Sequence, residues 1–249
     1  MRKFSLMLIF LLGLSASAFA ADEAIDFGGY GGFSLGLQYL NVSDLNEMID
    51  DAGFTELSPW RPYIGIHGHG IIFERLMVGL RGGAMRSTAS GDGVDMSFHS
   101  GWGQLEFGYL LVNNRYGLLA PLIGIGGFGF TLDFDGPVHA MGLGEEPVED
   151  PRTGEVTNRG EVLDDLKMSR GGAHSFIGLT YQYPFRFAGD EHGFAMFVTG
   201  ATMGATLQMI DSRWMDEDGD AISGGPDLAF HSFYLVVEIA FGGGAILDE

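Results

Sequence analysis

Three places in the chain set a histidine beside a serine: His99-Ser100, His174-Ser175 and His231-Ser232. A hydroxyl nucleophile needs a base within hydrogen-bond reach, so such pairs raise the possibility of a lipid-modifying acyl transfer. Two of the pairs are followed, seven residues past the histidine, by Glu106 and Glu238. In extended chain, alternate residues point to opposite faces. A shared face for Ser100 with Glu106, and for Ser232 with Glu238, therefore turns His99 and His231 to the other face. Neighbours on opposite faces cannot act as nucleophile and base, so the pairs read as polar residues at a membrane boundary and the chain as non-enzymatic. A lipid hydrolase or acyltransferase is the alternative, with Ser100, Ser175 and Ser232 as its only support.

Arg81, Glu106 and Glu238 are isolated charges in otherwise uncharged stretches. A charge facing lipid at mid-membrane costs roughly 2–4 kcal/mol, so these side chains should point into a lumen. There they must pair to offset desolvation. Gln38 and Gln182 fall on the polar faces of their own segments and join them as an expected lumen network. One reading is a gated polar pathway; the reading taken is a plug of ion pairs that fixes packing. His67 and His69 share a face, but two ligands alone make a weak metal site, and they read as lumen-lining. Spaced carboxylates at Asp216, Asp218 and Asp220 beside Gly219 resemble part of a calcium loop without its distal glutamate. No cofactor is expected, loosely bound Ca²⁺ at these carboxylates being the alternative to a merely solvated acidic surface. The acidic run Glu145, Glu146, Glu149, Asp150, Glu155, Glu161, Asp164 and Asp165 reads as a solvated, self-repelling surface.

The elements that must carry these residues are strands. Eight segments qualify, over Gly29–Asn41, Arg61–Phe73, Leu76–Ser87, Val94–Val112, Tyr116–Phe134, Met168–Phe187, Gly193–Met209 and Leu228–Gly242. Their connections alternate between long and short. Glu74-Arg75, Asn113 to Arg115 and Ala188 to His192 are tight turns; Val42–Trp60, Thr88–Gly93, Asp135–Lys167 and Ile210–Asp227 are longer loops. Loops sorted by parity are expected of a barrel crossing a membrane, and a soluble sandwich has no reason to sort them. In the first segment Phe33, Leu35, Leu37 and Tyr39 oppose Ser34, Gly36 and Gln38; in the last, Phe233, Leu235, Val237, Ile239 and Phe241 oppose Ser232, Tyr234, Val236, Glu238 and Ala240. The polar face is too small and too sparse in charge for a wetted exterior. It suits the interior of an eight-stranded barrel, which side chains just fill. The spacing also predicts a helix over 43–52, capped by Ser43 and stopped by Gly53, as a lid over the barrel mouth.

Arg2, Lys3, the apolar Leu6 to Leu14 and the Ala18-Phe19-Ala20 site predict an export signal over residues 1–20, leaving 21–249 as one barrel domain. Without those residues the chain has 11 Lys and Arg against 33 Asp and Glu, an excess of 22 negative charges that excludes nucleic acid as a partner. There are no cysteines, so a closed sheet must supply stability without disulfides. The 41 glycines argue against long helices, and their mixture with 20 Phe and 8 Tyr suits membrane-crossing strands better than a disordered linker.

This pattern resembles the small OmpA/OmpX-type outer-membrane barrels in architecture over essentially the whole mature chain. The resemblance implies an all-β, eight-stranded antiparallel up-and-down transmembrane β-barrel in a bacterial outer membrane, with outer-membrane lipids and the barrel assembly machinery as partners. The last strand, Phe233–Phe241, carries outward aromatics at both ends, as the family's assembly signal does. That signal usually ends the chain, whereas Gly242 to Glu249 follow here. Because the likeness is architectural, it transfers no functional residue. The function expected is structural, without general porin activity. Binding or transport of a small hydrophobic ligand is the alternative, suggested by Gly124, Gly126, Gly127 and Gly129 in the fifth segment, where glycine can also serve strand curvature alone.

Overall fold

The computed structural model describes residues 24–50, 53–91, 94–139, 148–149, 156–157, 162–189, 193–222 and 225–246. The expected export signal lies outside them, as does most of the acidic third loop. Eight long strands dominate: β1 (Phe27–Leu40), β2 (Trp60–Ile72), β3 (Leu76–Gly91), β4 (Val94–Tyr109), β5 (Gly117–His139), β6 (Val162–Gly189), β7 (Phe194–Asp211) and β8 (Ser232–Ala245). Each pairs antiparallel with the next, and β8 returns to β1 with Leu35 opposite Val237. The sheet is closed, so its strands satisfy one another's backbone groups as any lipid-spanning sheet must.

The barrel is apolar outside. Leu35, Leu37, Leu235 and Val237 are 59, 51, 47 and 58% exposed, while Ser34, Gln38, Tyr234 and Glu238 are fully buried. Outward side chains are uncharged from Leu76 to Ala84 in β3 and from Gly101 to Tyr109 in β4. Arg86, Asp95, Asp133 and Lys167 begin beyond that band, at the end bearing the longer loops. Its height matches the roughly 9–11 residues of a tilted membrane strand. Aromatic pairs border it. Tyr39 packs on Trp60 at 5.3 Å above, and Phe27 on Phe73 and Phe197 on Phe241, both at 5.2 Å, below.

Several boundaries differ from the sequence reading. β3 and β4 stay paired out to Gly91 and Val94, so the expected loop over Thr88–Gly93 is mostly strand. Ala89, Met96 and Phe98 keep the inward period while the outer face turns polar, so the wall rises above the lipid band. For the same reason β5 and β6 pair as far as His139 and Val162. β4 stops at Tyr109, and Val112–Asn114 forms a short strand of its own against Gly117 to Leu119. β8 starts at Ser232 and runs through Ala245.

Both ends of the cylinder are covered. At the lower end Ile25 is buried beneath the barrel, its N–H donating to Asn113 Oδ1 at 3.0 Å, while Asn113 Nδ2 donates to the carbonyls of Ile25 and Glu74, each at 2.8 Å. At the upper end helix α1 (Ser43–Asp50) turns Leu45 and Ile49 into the apolar cluster that contains Phe98, Phe130, Phe134 and Phe230. Gly53, at φ 78°, ends the helix, with Phe54 N–H donating to Ile49 O at 2.9 Å. The expected cap at Ser43 falls instead to Asn41, whose Oδ1 accepts both the Ser43 N–H, at 3.2 Å, and its hydroxyl, at 2.8 Å.

Candidate functional site

Midway down the lumen the strands bring their isolated charges together. Arg81, inward on β3, donates from Nε to Glu106 Oε1 at 2.7 Å, from Nη1 to Glu238 Oε1, and from Nη2 to Thr202 Oγ1 at 3.3 Å. Thr202 in turn donates to Thr180 at 2.8 Å. One guanidinium thus ties β3, β4, β7 and β8 to a common point, and all three charged side chains are almost wholly excluded from solvent.

Each carboxylate is supplied with further donors. Glu106 also accepts from Gln104 Nε2 at 2.6 Å and from His69 Nε2 at 2.7 Å. A carboxylate only accepts, so His69 carries its proton on Nε2. Glu238 Oε2 accepts from Gln182 Nε2 at 2.8 Å, and Gln182 Oε1 accepts from the Tyr30 hydroxyl. His67 Nε2 stands 4.0 Å from the same Glu238 oxygen, its Nδ1 3.4 Å from Ser34 Oγ. Gln38 lies one tier higher. It donates to Ser232 Oγ at 2.9 Å and accepts from Trp102 Nε1 at 3.1 Å.

The structure therefore gathers Arg81, Glu106, Glu238 and Gln182 into one network with His69 and Tyr30, and places Gln38 beside it. Above this layer lies a feature that the sequence reading missed. Tyr63, Trp102, Tyr234 and Phe176 stack in series at centroid spacings of 5.6, 5.5 and 5.5 Å, with interplanar angles of 17, 27 and 13°. These residues come from β2, β4, β8 and β6, so the stack spans the lumen. The only sequence signal for it was an inward aromatic on each of those strands.

His99, on β4, and His231, just before β8, face outward while Ser100 and Ser232 are buried, and His174 is buried while Ser175 is half-buried. No histidine is hydrogen-bonded to the serine beside it in sequence among the described residues. Asp216, Asp218 and Asp220 are not gathered as a cage. Asp216 Oδ1 accepts the N–H groups of Asp218 at 3.0 Å and Asp220 at 2.8 Å, which closes the turn between the short strands Trp214–Met215 and Ala221–Ile222. Gly219, at φ 88°, takes the left-handed position of that turn. Among the described residues no group of three or more His, Asp or Glu side chains is placed to hold a metal ion.

No family model and no curated protein matches the chain. Solved structures do. The attachment invasion locus protein Ail of Yersinia pestis, in complex with the heparin analogue sucrose octasulfate, aligns at 11% identity over 86% of this chain and 98% of its own, with a TM-score of 0.41. The outer-membrane protease OmpT of Escherichia coli aligns at 8% identity over 91% and 98%, at 0.34. The outer-membrane protein OprG of Pseudomonas aeruginosa aligns at 12% identity over 91% and 98%, at 0.31. The fold described above rests on this chain's own strand pairing.

Proposed function

We propose that the protein is a structural, integral outer-membrane barrel whose lumen is sealed and whose acidic loops face outward, without general porin activity. The observation that carries this reading is the filled cross-section: the Arg81–Glu106–Glu238 network and the Tyr63–Trp102–Tyr234–Phe176 stack occupy successive levels of one narrow cylinder. Asp95, Asp133, Asp135, Glu217, Asp218 and Asp220 are exposed at the outer end, where they gather divalent cations loosely rather than in a cage. Lipids of the outer membrane meet the apolar wall, including a groove of about 940 Å³ lined by Ile66, Gly68, Leu80, Gly82, Gly103 and Leu105. The barrel assembly machinery is the partner that inserts it.

The opposite facing of His99 and Ser100, and of His231 and Ser232, supports a non-catalytic role. Planar-bilayer recordings of the purified protein test the central reading, with heat-modifiable migration confirming that the inserted material is folded. Folded barrel without steady conductance is the expected result, and large, steady channels overturn it.

A further inference from the structure

We propose that the upper lumen, beneath α1, binds an amphipathic oxyanion, an apolar body bearing one carboxylate or phosphate, and that Arg61 holds its charged end. Arg61 is the second residue of β2 and only 1% exposed. Its Nε donates to Ser58 O at 3.0 Å, and its Cζ lies 4.4 Å from the centroid of the Phe98 ring. Nη1 and Nη2 meet no acceptor. The other fully buried arginine, Arg81, is met by two carboxylates, whereas no carboxylate of the described residues pairs with Arg61. Its register partner on β1, Gln38, is already committed to Ser232 and Trp102.

A desolvated cation without a counter-charge is costly. Phe98 occupies one face of the guanidinium and Ser58 one edge. The edge left over presents two Nη groups side by side, the fork that receives a carboxylate or phosphate bidentately. The surroundings set the rest of the ligand. From Phe98 the wall continues to Phe130 at 5.7 Å, then to Phe230 at 5.8 Å, which stacks on Phe128 at 4.6 Å. Leu45, Ile49 and Leu57 belong to the same apolar cluster from the lid side. Only an apolar body suits such a lining. Two further buried atoms on this wall meet no partner: Ser100 Oγ, two residues along β4 from Phe98, and His174 Nδ1, whose ring lies 5.0 Å from Phe230. They mark a second polar point, suited to a hydroxyl on the ligand.

The test uses the whole barrel in neutral maltoside micelles, with native mass spectrometry for binding and the temperature of the heat-modifiable transition for stabilisation. Probes are laurate, dodecyl phosphate, dodecanol and inorganic phosphate. Laurate or dodecyl phosphate is expected to bind one to one and raise the transition, and whichever binds more tightly identifies the head group. Dodecanol and inorganic phosphate are expected to bind at least about tenfold more weakly, the size of one charge-assisted fork. Arg61→Leu is expected to lose that preference for the anion over dodecanol. Arg61→Lys, which keeps a charge for the barrel to fold around but lacks the fork, is expected to weaken binding several-fold. Absence of binding by both laurate and dodecyl phosphate, equal binding of dodecanol, equal binding of inorganic phosphate, or unchanged laurate and dodecyl phosphate affinity in either variant overturns the proposal.

Discussion

Arg81 is the residue on which the mid-lumen network turns, because its three nitrogens reach Glu106, Glu238 and Thr202 at once. Removing one partner of a buried ion pair leaves an uncompensated charge, a loss of roughly 3–5 kcal/mol. Arg81→Met is therefore expected to lower urea stability in lipid vesicles by about that much, whereas Arg81→Met with Glu106→Gln and Glu238→Gln recovers much of it by removing both stranded carboxylates. If the single variant unfolds at the same urea concentration as the parent, the network is not a structural plug. Arg81, Glu106 and Glu238 were legible as charges inside uncharged runs, and Gln38 and Gln182 by parity within their strands. Arg61 was not legible, because it opens the segment expected from the sequence, Arg61–Phe73, and a charge there reads as a boundary residue. His174 was hidden too. Which residues meet across a lumen depends on the stagger of eight strands, and that is set by pairing register rather than by any local pattern.

At the scale of a strand, β5 separates two uses of glycine that the sequence presents as one run. Inward Gly126 leaves no room: a Cβ there would collide with the Gly103 carbonyl and the Gln104 backbone. Outward Gly129 has only the Arg170 carbonyl at 3.9 Å, an ordinary contact. Gly126→Ala is accordingly expected to destabilise the barrel by about 1–3 kcal/mol, the cost of overpacking against an unyielding backbone. Gly129→Ala should stay within about 0.5 kcal/mol of the parent, as other open surface sites do. Comparable urea midpoints for the two would remove the distinction. Strand number and order were legible from connections that alternate between long and short, and facing was legible where period-2 alternation is clean, as in β1, β6 and β8; β5, nearly apolar on both faces, and β7 showed it poorly. Strand ends were not, since β3 to β6 keep that alternation after their outer faces turn polar, and a change of polarity looks like a loop when it is only the edge of the lipid.

For the molecule as a whole, stability rests on closure, and closure is made where β8 meets β1. That seam does not end at the last outward aromatic, Phe241. Gly242 to Ala245 continue it, opposite Tyr30 to Phe27 on one side, and Gly242 to Gly244 lie opposite Met196 to Phe194 on the other. A chain cut after Phe241 would leave the lower ends of β1 and β7 with unpaired backbone groups near the membrane boundary and release the Asp26 N–H from Ala245 O, bonded at 3.1 Å. Each such group costs several kcal/mol where water cannot reach it and little where water can, so the loss depends on how far the lipid extends. Truncation after Phe241 is expected to lower the temperature of the heat-modifiable transition and slow insertion into vesicles. Truncation after Ala245 should do neither, because it leaves every pair of the seam in place. Equal behaviour of the two truncations would mean that the barrel is effectively closed by Phe241, with the residues beyond it an appendage to the strand.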